Sequence, residues 1–292
     1  MNLKFSGHET FACRTFWPKK GYDFIVEQNK FSSIEAPSIL GVGKNMVASI
    51  QFWMKAMNLL DGDGKVSRFA ITILDEEGYD PFLEDIGTIW LLHSELVTTE
   101  YATLYNLFFN EFRIQKASFS KLQLQNFVSA IFRQVGANGF NRGTIEKDIN
   151  VLCKSYNQPD YKNTKKNFED EVSSLFLELE LMKSSKVKDT NDKIVEWYSV
   201  ESTERHNLPS DIVLYFILSR YKGQTIQFRN LLTDKNCPAK VFCLNREGLY
   251  KKLKEQENKR EGLFISETAG NVILNIPEGL EKEDILKEYY GD

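Results

Sequence analysis

Between residues 31 and 73 the spacing of apolar residues changes twice. Ile34, Ala36, Ile39 and Leu40 fall at helical spacing. Gly41-Val42-Gly43 then interrupts them, and glycine accepts the backbone angles a tight turn requires. Met46, Val47, Ile50, Trp53, Met54 and Met57 resume the helical period, which predicts a second helix with one buried face. The other face carries Lys44, Asn45, Ser49, Gln51 and Lys55, side chains that reach phosphates or base edges. Asp61-Gly62-Asp63-Gly64 predicts a turn into a strand with Phe69, Ile71 and Ile73 on one side. Helix, turn, helix and hairpin in this order predict a winged helix-turn-helix, with Lys65 and Arg68 on the wing.

Further along, residues 86–97 and 101–112 predict two helices rich in large apolar side chains. Tyr101, Leu104, Tyr105, Phe108, Phe109 and Phe112 sit at helical spacing, and aromatics so placed build a core. Residues 118–156 predict a second helical unit. Ser118-Phe119-Ser120 opens a helix through Leu122, Phe127, Ile131 and Val135, because serine caps free amides. A polar loop over residues 136–143 leads to a helix from Thr144, with Ile145, Ile149, Leu152 and Tyr156 inward. Arg142, Lys147, Asn150 and Lys154 lie outward or at its start, where a phosphate suits a helix N-terminus. Residues 161–168 are polar and basic and mark a boundary. Beyond it, Leu208-Pro209-Ser210-Asp211 caps an apolar helix, residues 249–260 form a charged one, and a hairpin turns across Thr268-Ala269-Gly270-Asn271. The expected fold is therefore mainly α with small β-hairpin wings. Its tandem winged units are an N-terminal arm plus winged unit (1–80), a helical bridge with a second unit (81–160) and a C-terminal winged-helix-like domain (161–292).

Charge distribution changes this picture more than the total does. The chain has 292 residues, 42% hydrophobic and 13% aromatic, with a net charge of −4. That balance argues against a non-specific DNA coat. Residues 71–112, however, hold nine acids and no Lys or Arg, while residues 113–168 hold ten Lys/Arg against three acids. Both expected helix-turn-helix segments are basic and an acidic block separates them, which points to a polyanion partner. The acidic C-terminal part fits a protein partner better. No apolar run approaches the ~20 residues of a membrane helix, and the first residues lack a signal-peptide core, so a cytoplasmic protein is expected.

Candidate chemistry is sparse. Cys13, Cys153, Cys237 and Cys243 are scattered, and with only His8, His93 and His206 they form no zinc spacing. Gly41-Val42-Gly43-Lys44 lacks the first glycine and the strand of a phosphate loop. Asp80, Glu84 and Asp85 are clustered, but acids also favour a helix start. His8, Glu9, Cys13 and Arg14 invite a catalytic reading, yet nothing in the spacing fixes their approach. Packing of Phe5, Phe11, Phe16 and Trp17, with His8, Glu9 and Arg14 locking the arm by hydrogen bonds, is the expected role. No catalytic residue, cofactor or metal is assigned.

The same arm carries a resemblance. Gly7-His8-Glu9-Thr10-Phe11, Cys13-Arg14, Trp17 and Lys19-Lys20-Gly21-Tyr22-Asp23 precede LGVGKNMV, then DPFLEDIGTIWLLH, LFFNEF and TIEKDINVL. In this order they resemble an uncharacterised bacterial family, number four thousand and seven of the domain-of-unknown-function series, over essentially the whole chain. Pro18 stands where leucine is expected. The resemblance implies a companion of DNA phosphorothioate-modification and phage-defence genes, an accessory factor acting on DNA; double-stranded DNA and other proteins of such a system are the expected partners. The alternatives are a protein-interaction scaffold that touches no DNA, or an enzyme using the N-terminal group.

Overall fold

A computed structural model of the chain describes residues 3–136, 141–158, 173–188 and 192–291. It divides into two compact units, Met1–Glu201 and Ser202–Asp292. Parts of the expected polar loop (137–140), the basic boundary (161–168) and Val172 lie outside the described residues.

The first unit opens with α1 (Trp17–Val26), α2 (Ala36–Leu40), α3 (Lys44–Ala56) and α4 (Arg68–Leu74). Proline in the first turn of α1 costs no hydrogen bond there. The apolar face of α3 is as the period predicts: Val47, Ile50, Trp53 and Met54 are buried. The face expected for α2 is half wrong. Ala36 and Leu40 are buried, but Ile39 is half exposed and Ile34 is 96% exposed, because the helix begins only at Ala36. The strand expected at Phe69, Ile71 and Ile73 is instead α4. Ser67 accepts the amide of Ala70 as a cap, and Ala70, Ile73 and Leu74 bury one helical face while Ile71 points out. The hairpin there shrinks to a single Leu60–Val66 bridge.

α5 (Ile86–Thr98) follows, capped by Asp85 on the Gly87 amide. α6 (Thr103–Leu107) runs through a π-helical turn (Phe108–Phe112) into α7 (Arg113–Gln115). Tyr105, Phe108, Phe109 and Phe112 are buried, as the spacing predicts. The chain continues with β1 (Ser118–Ser120), α8 (Lys121–Gln134), α9 (Arg142–Tyr156), a 3-10 turn (Leu175–Leu179), β2 (Lys183–Lys188) and β3 (Ile194–Ser199). Ser120 and Gln123 close a capping box at the start of α8. That start sets the phase of the helix: Leu124, Val128 and Phe132 point inward, and Leu122, expected inside, is exposed. β3 lies between β1 and β2 in an antiparallel sheet, with Ser120 opposite Trp197 and Ser185 opposite the same residue.

The second unit contains α10 (Ser210–Arg220), β4 (Thr225–Gln227), α11 (Phe228–Thr233), α12 (Pro238–Val241), α13 (Arg246–Lys259), β5 (Phe264–Thr268), β6 (Asn271–Asn275) and α14 (Lys282–Tyr290). Ala269 and Gly270 both have positive φ, which closes the two-residue turn between β5 and β6. The sheet order is β4-β6-β5. Each unit thus repeats one sequence of elements: helix, short strand, helices, then a hairpin whose second strand lies centrally.

Candidate nucleic-acid interface

On α3, Lys44 and Asn45 are exposed, and Gln51 and Lys55 are half-buried. Lys44, Gln51 and Lys55 fall on one stripe at helical spacing. Ser49 is not part of it. Its side chain is fully buried, and its hydroxyl donates to the His8 carbonyl at 2.8 Å. A DNA contact by Ser49 is therefore excluded by geometry. The helix buries a second face because the N-terminal arm lies on it. Trp53 Nε1 donates to the Phe11 carbonyl at 3.1 Å, and the buried His8 ring stacks on Trp53 and meets Phe52 edge-on.

The arm also reaches α9. Ser6 N–H donates to Asp148 Oδ2 at 2.8 Å, and His8 Nε2 lies 3.3 Å from Asp148 Oδ1. His8 thus sits between α3 and α9, which are the two helices carrying the candidate contacts. Of the other arm residues, Phe16 is 67% exposed rather than packed, and Glu9 is exposed. Cys13 is buried, and burial pushes its thiol well above the usual range, so it stays protonated. Burial likewise pushes Cys153 up to about 12. His8, Glu9, Cys13 and Arg14 do not form a nucleophile with an adjacent base and an open approach.

Lys65 and Arg68 are exposed, but not on a wing. Lys65 sits in a tight loop whose Asp61 Oδ1 accepts the amides of Asp63 and Lys65, and Arg68 opens α4. Two acids beside Lys65 weaken any pull on a phosphate.

On α9, Lys147 and Lys154 are exposed and seven residues apart, so they share one face. Neither makes an ion pair among the described residues. Arg142 is exposed at the helix start, where its Nε donates to Gln125 Oε1 at 3.3 Å. Asn141 caps the amides of Gly143 and Thr144, which removes two of the free donors a phosphate would use. Asn150 accepts from Lys121 Nζ at 2.8 Å and is spent internally.

Sequence reasoning missed the hairpin. β2 reads KSSKVK, and all six residues are exposed. Lys183, Lys186 and Lys188 stand on it, and Lys193 precedes β3. Alternating lysine and serine with one valine looks like a loop by composition. The signal that could have found it is the partner strand IVEWYS, whose β-branched and aromatic residues read as a strand.

The second unit treats its cations differently. On α13, Lys251 pairs with Glu204, Lys254 with Glu257 and Lys259 with Asp211. Arg260 joins Asp211 and Glu288. Three of the five cations on that helix are paired within the unit.

The family model described as "Protein of unknown function (DUF4007)" matches residues 5–290. The chain belongs to the DUF4007 family. Two solved structures, titled "SspB crystal structure" and "Magnesium ion-bound SspB crystal structure", are similar to it. Each is 26% identical with a TM-score of 0.84, over 99% of this chain and 88% of that one. No curated protein matches. Among the described residues of this DUF4007 chain, no group of three or more His, Cys, Asp or Glu is placed to hold a metal ion. No helix among them is long and apolar enough to cross a membrane.

Proposed function

We propose that this DUF4007 protein is a DNA-binding accessory or regulatory subunit of a bacterial DNA-modification or phage-defence system. The repeated order of helix, strand, helices and hairpin is read as two winged-helix units, residues 103–199 and 210–275, rather than as a wing after α3. In such a unit the second helix of the pair enters the major groove. α9 holds that place in the first unit, and the observation that carries the proposal is its exposed Lys147 and Lys154, which make no ion pair among the described residues. Lys44, Asn45, Gln51 and Lys55 on α3 would add backbone contacts. The likeness to SspB fits an accessory role in the phosphorothioate-modification system that the sequence resemblance implies.

The test is duplex binding measured by fluorescence anisotropy across salt. Each phosphate contact contributes about 0.9 to the log–log salt slope. Replacing Arg142, Lys147 and Lys154 by alanine should weaken binding and take up to ~2.7 off that slope. An unchanged slope in a folded variant would remove α9 from the interface. Incubation of supercoiled plasmid with the protein and magnesium checks the non-enzymatic part of the proposal, since nicking would overturn it.

A scaffold role is favoured for the second unit by one observation, the internal pairing of the α13 cations. There a protein partner fits better than DNA.

A further inference from the structure

We propose that the β2–β3 hairpin is a second DNA contact, in which Lys183, Lys186 and Lys188 grip the backbone of the duplex that α9 enters; this rests on the DNA-binding reading above. Three observations carry it. The first is position. β2 is an edge strand of its sheet, and no described strand pairs with its outer side. Its base is tied to the end of α9: Asn157 Nδ2 donates to Ser184 Oγ at 3.1 Å, and Asn157 bridges Met182. Lys154, one turn before Asn157, therefore points out at the same end of the helix as the foot of the hairpin. Lys121 adds a brace, donating to Asn150 of α9 while lying 5.4 Å from the centre of the Tyr198 ring of β3. Helix and hairpin are held as one body.

The second observation is charge. Lys183 and Lys186 form no ion pair among the described residues. Glu196 stands opposite Lys186 and forms no ion pair with it at salt-bridge distance, its carboxylate accepting the Tyr198 hydroxyl instead; its charge offsets part of that of Lys186. Among the described residues Lys188 pairs with Asp192 alone, at 3.3 Å, with both side chains well exposed, and such a pair is worth little and exchanges readily. Lys186 and Lys188 lie on one face of β2 and Lys183 on the other, so the strand carries cations on both sides of its edge, and a phosphate backbone running along that edge is complementary to them.

The third observation answers the plain alternative. Lysine on an edge strand also guards against strand-to-strand aggregation. The second unit supplies an internal control. Its edge strand β5 occupies the same place in the sheet order β4-β6-β5, and it reads FISET, without a lysine. The topology does not demand lysine. Val187 and Ile194 near the tip are also 51% and 69% exposed, which a strand selected only against self-association would avoid. The lysines occur in the unit whose α9 also leaves Lys147 and Lys154 without ion pairs among the described residues.

The experiment compares the full chain, a Lys183→Gln/Lys186→Gln/Lys188→Gln variant, the matching Lys→Arg variant, and the α9 alanine variant. Anisotropy of a labelled duplex is read from about 50 to about 200 mM salt. Glutamine keeps the edge polar. The Gln variant should bind at least ~10-fold more weakly at the lowest salt and lose ~2 to 3 from the slope, and the Arg variant should bind as wild type. Single substitutions, each expected to remove ~0.9, keep the test open should the triple change disturb folding. A Gln variant that elutes as wild type and keeps its affinity and slope overturns the hairpin contact, and if the α9 variant is weakened the DNA-binding reading survives. A wild-type chain with no salt-dependent duplex binding overturns both.

Discussion

At the residue scale, Ser49 and His8 show where a pattern stops being readable. The apolar positions of α3 are legible because they follow one period and form one face. Ser49 is polar and lies between them, so it reads as outward. It is buried because a separate segment, the arm, lies over that side, and a single period cannot register a second cover. Ser49→Ala should cost ~1 kcal/mol, since the His8 carbonyl loses one of its two donors and keeps the Phe11 amide. For a unit of this size that lowers Tm by a few degrees per kcal/mol, read by calorimetry. Duplex affinity should not change; a drop in affinity at unchanged Tm would restore Ser49 to the interface. The cysteines give a second check. All four are buried. A thiol reagent at neutral pH should label them only after denaturation, because covered thiols react slowly. Fast labelling of Cys13 in the folded protein would mean that the arm opens.

Elements with their own end signals were legible, and elements defined by distant partners were not. Ser120 with Gln123, the run before Ser210 and the turn at Ala269-Gly270 each announce a boundary locally. The sheet of the first unit does not, since β1 must find β3 across more than seventy residues of chain. α4 shows competition between two local readings. Phe69, Ile71 and Ile73 alternate like a strand, but the Ser67 cap and the burial of Ala70, Ile73 and Leu74 decide for helix. The three-helix junction of the second unit makes a prediction of its own. Burial alone would raise the Asp211 carboxyl, but the hydrogen bond and charge of Lys259, with Gln256 and Arg260, outweigh it and hold Asp211 below its ordinary value of 3.8. A carboxyl lowered by folding contributes stability that is fully present above its unfolded value and lost as pH falls through the folded one. The second unit should therefore lose Tm as pH drops below about 4. Asp211→Asn should be less stable at neutral pH and flatter in that acid range. Parallel curves for the two proteins would show that Asp211 is not the group responsible.

For the whole molecule, the position of the division alters the electrostatic argument. A boundary within residues 161–168 would cut β2 and β3 away from β1, so a fragment ending there loses its sheet. The contact division falls between Glu201 and Ser202 instead. The second unit then holds fourteen Lys/Arg and fourteen acids, and the first carries the whole net charge of −4. An acidic C-terminal domain that repels DNA is not what the chain has. What distinguishes the two candidate faces is that Lys147 and Lys154 of α9 make no ion pair among the described residues while Lys251, Lys254 and Lys259 of α13 are paired, which no count of residues along the chain can show. The fragment 1–201 should therefore bind duplex DNA with nearly the affinity and salt slope of the full chain. The fragment 202–292 should not bind it, although its charge is the more favourable by four. Both fragments would first be checked for a cooperative melt, then compared by anisotropy on the same duplex. Pull-downs from cells carrying the full gene cluster should recover partner proteins with 202–292. Duplex binding by 202–292 alone would mean that paired cations on α13 open to phosphate, and the assignment of α9 and its hairpin would be wrong.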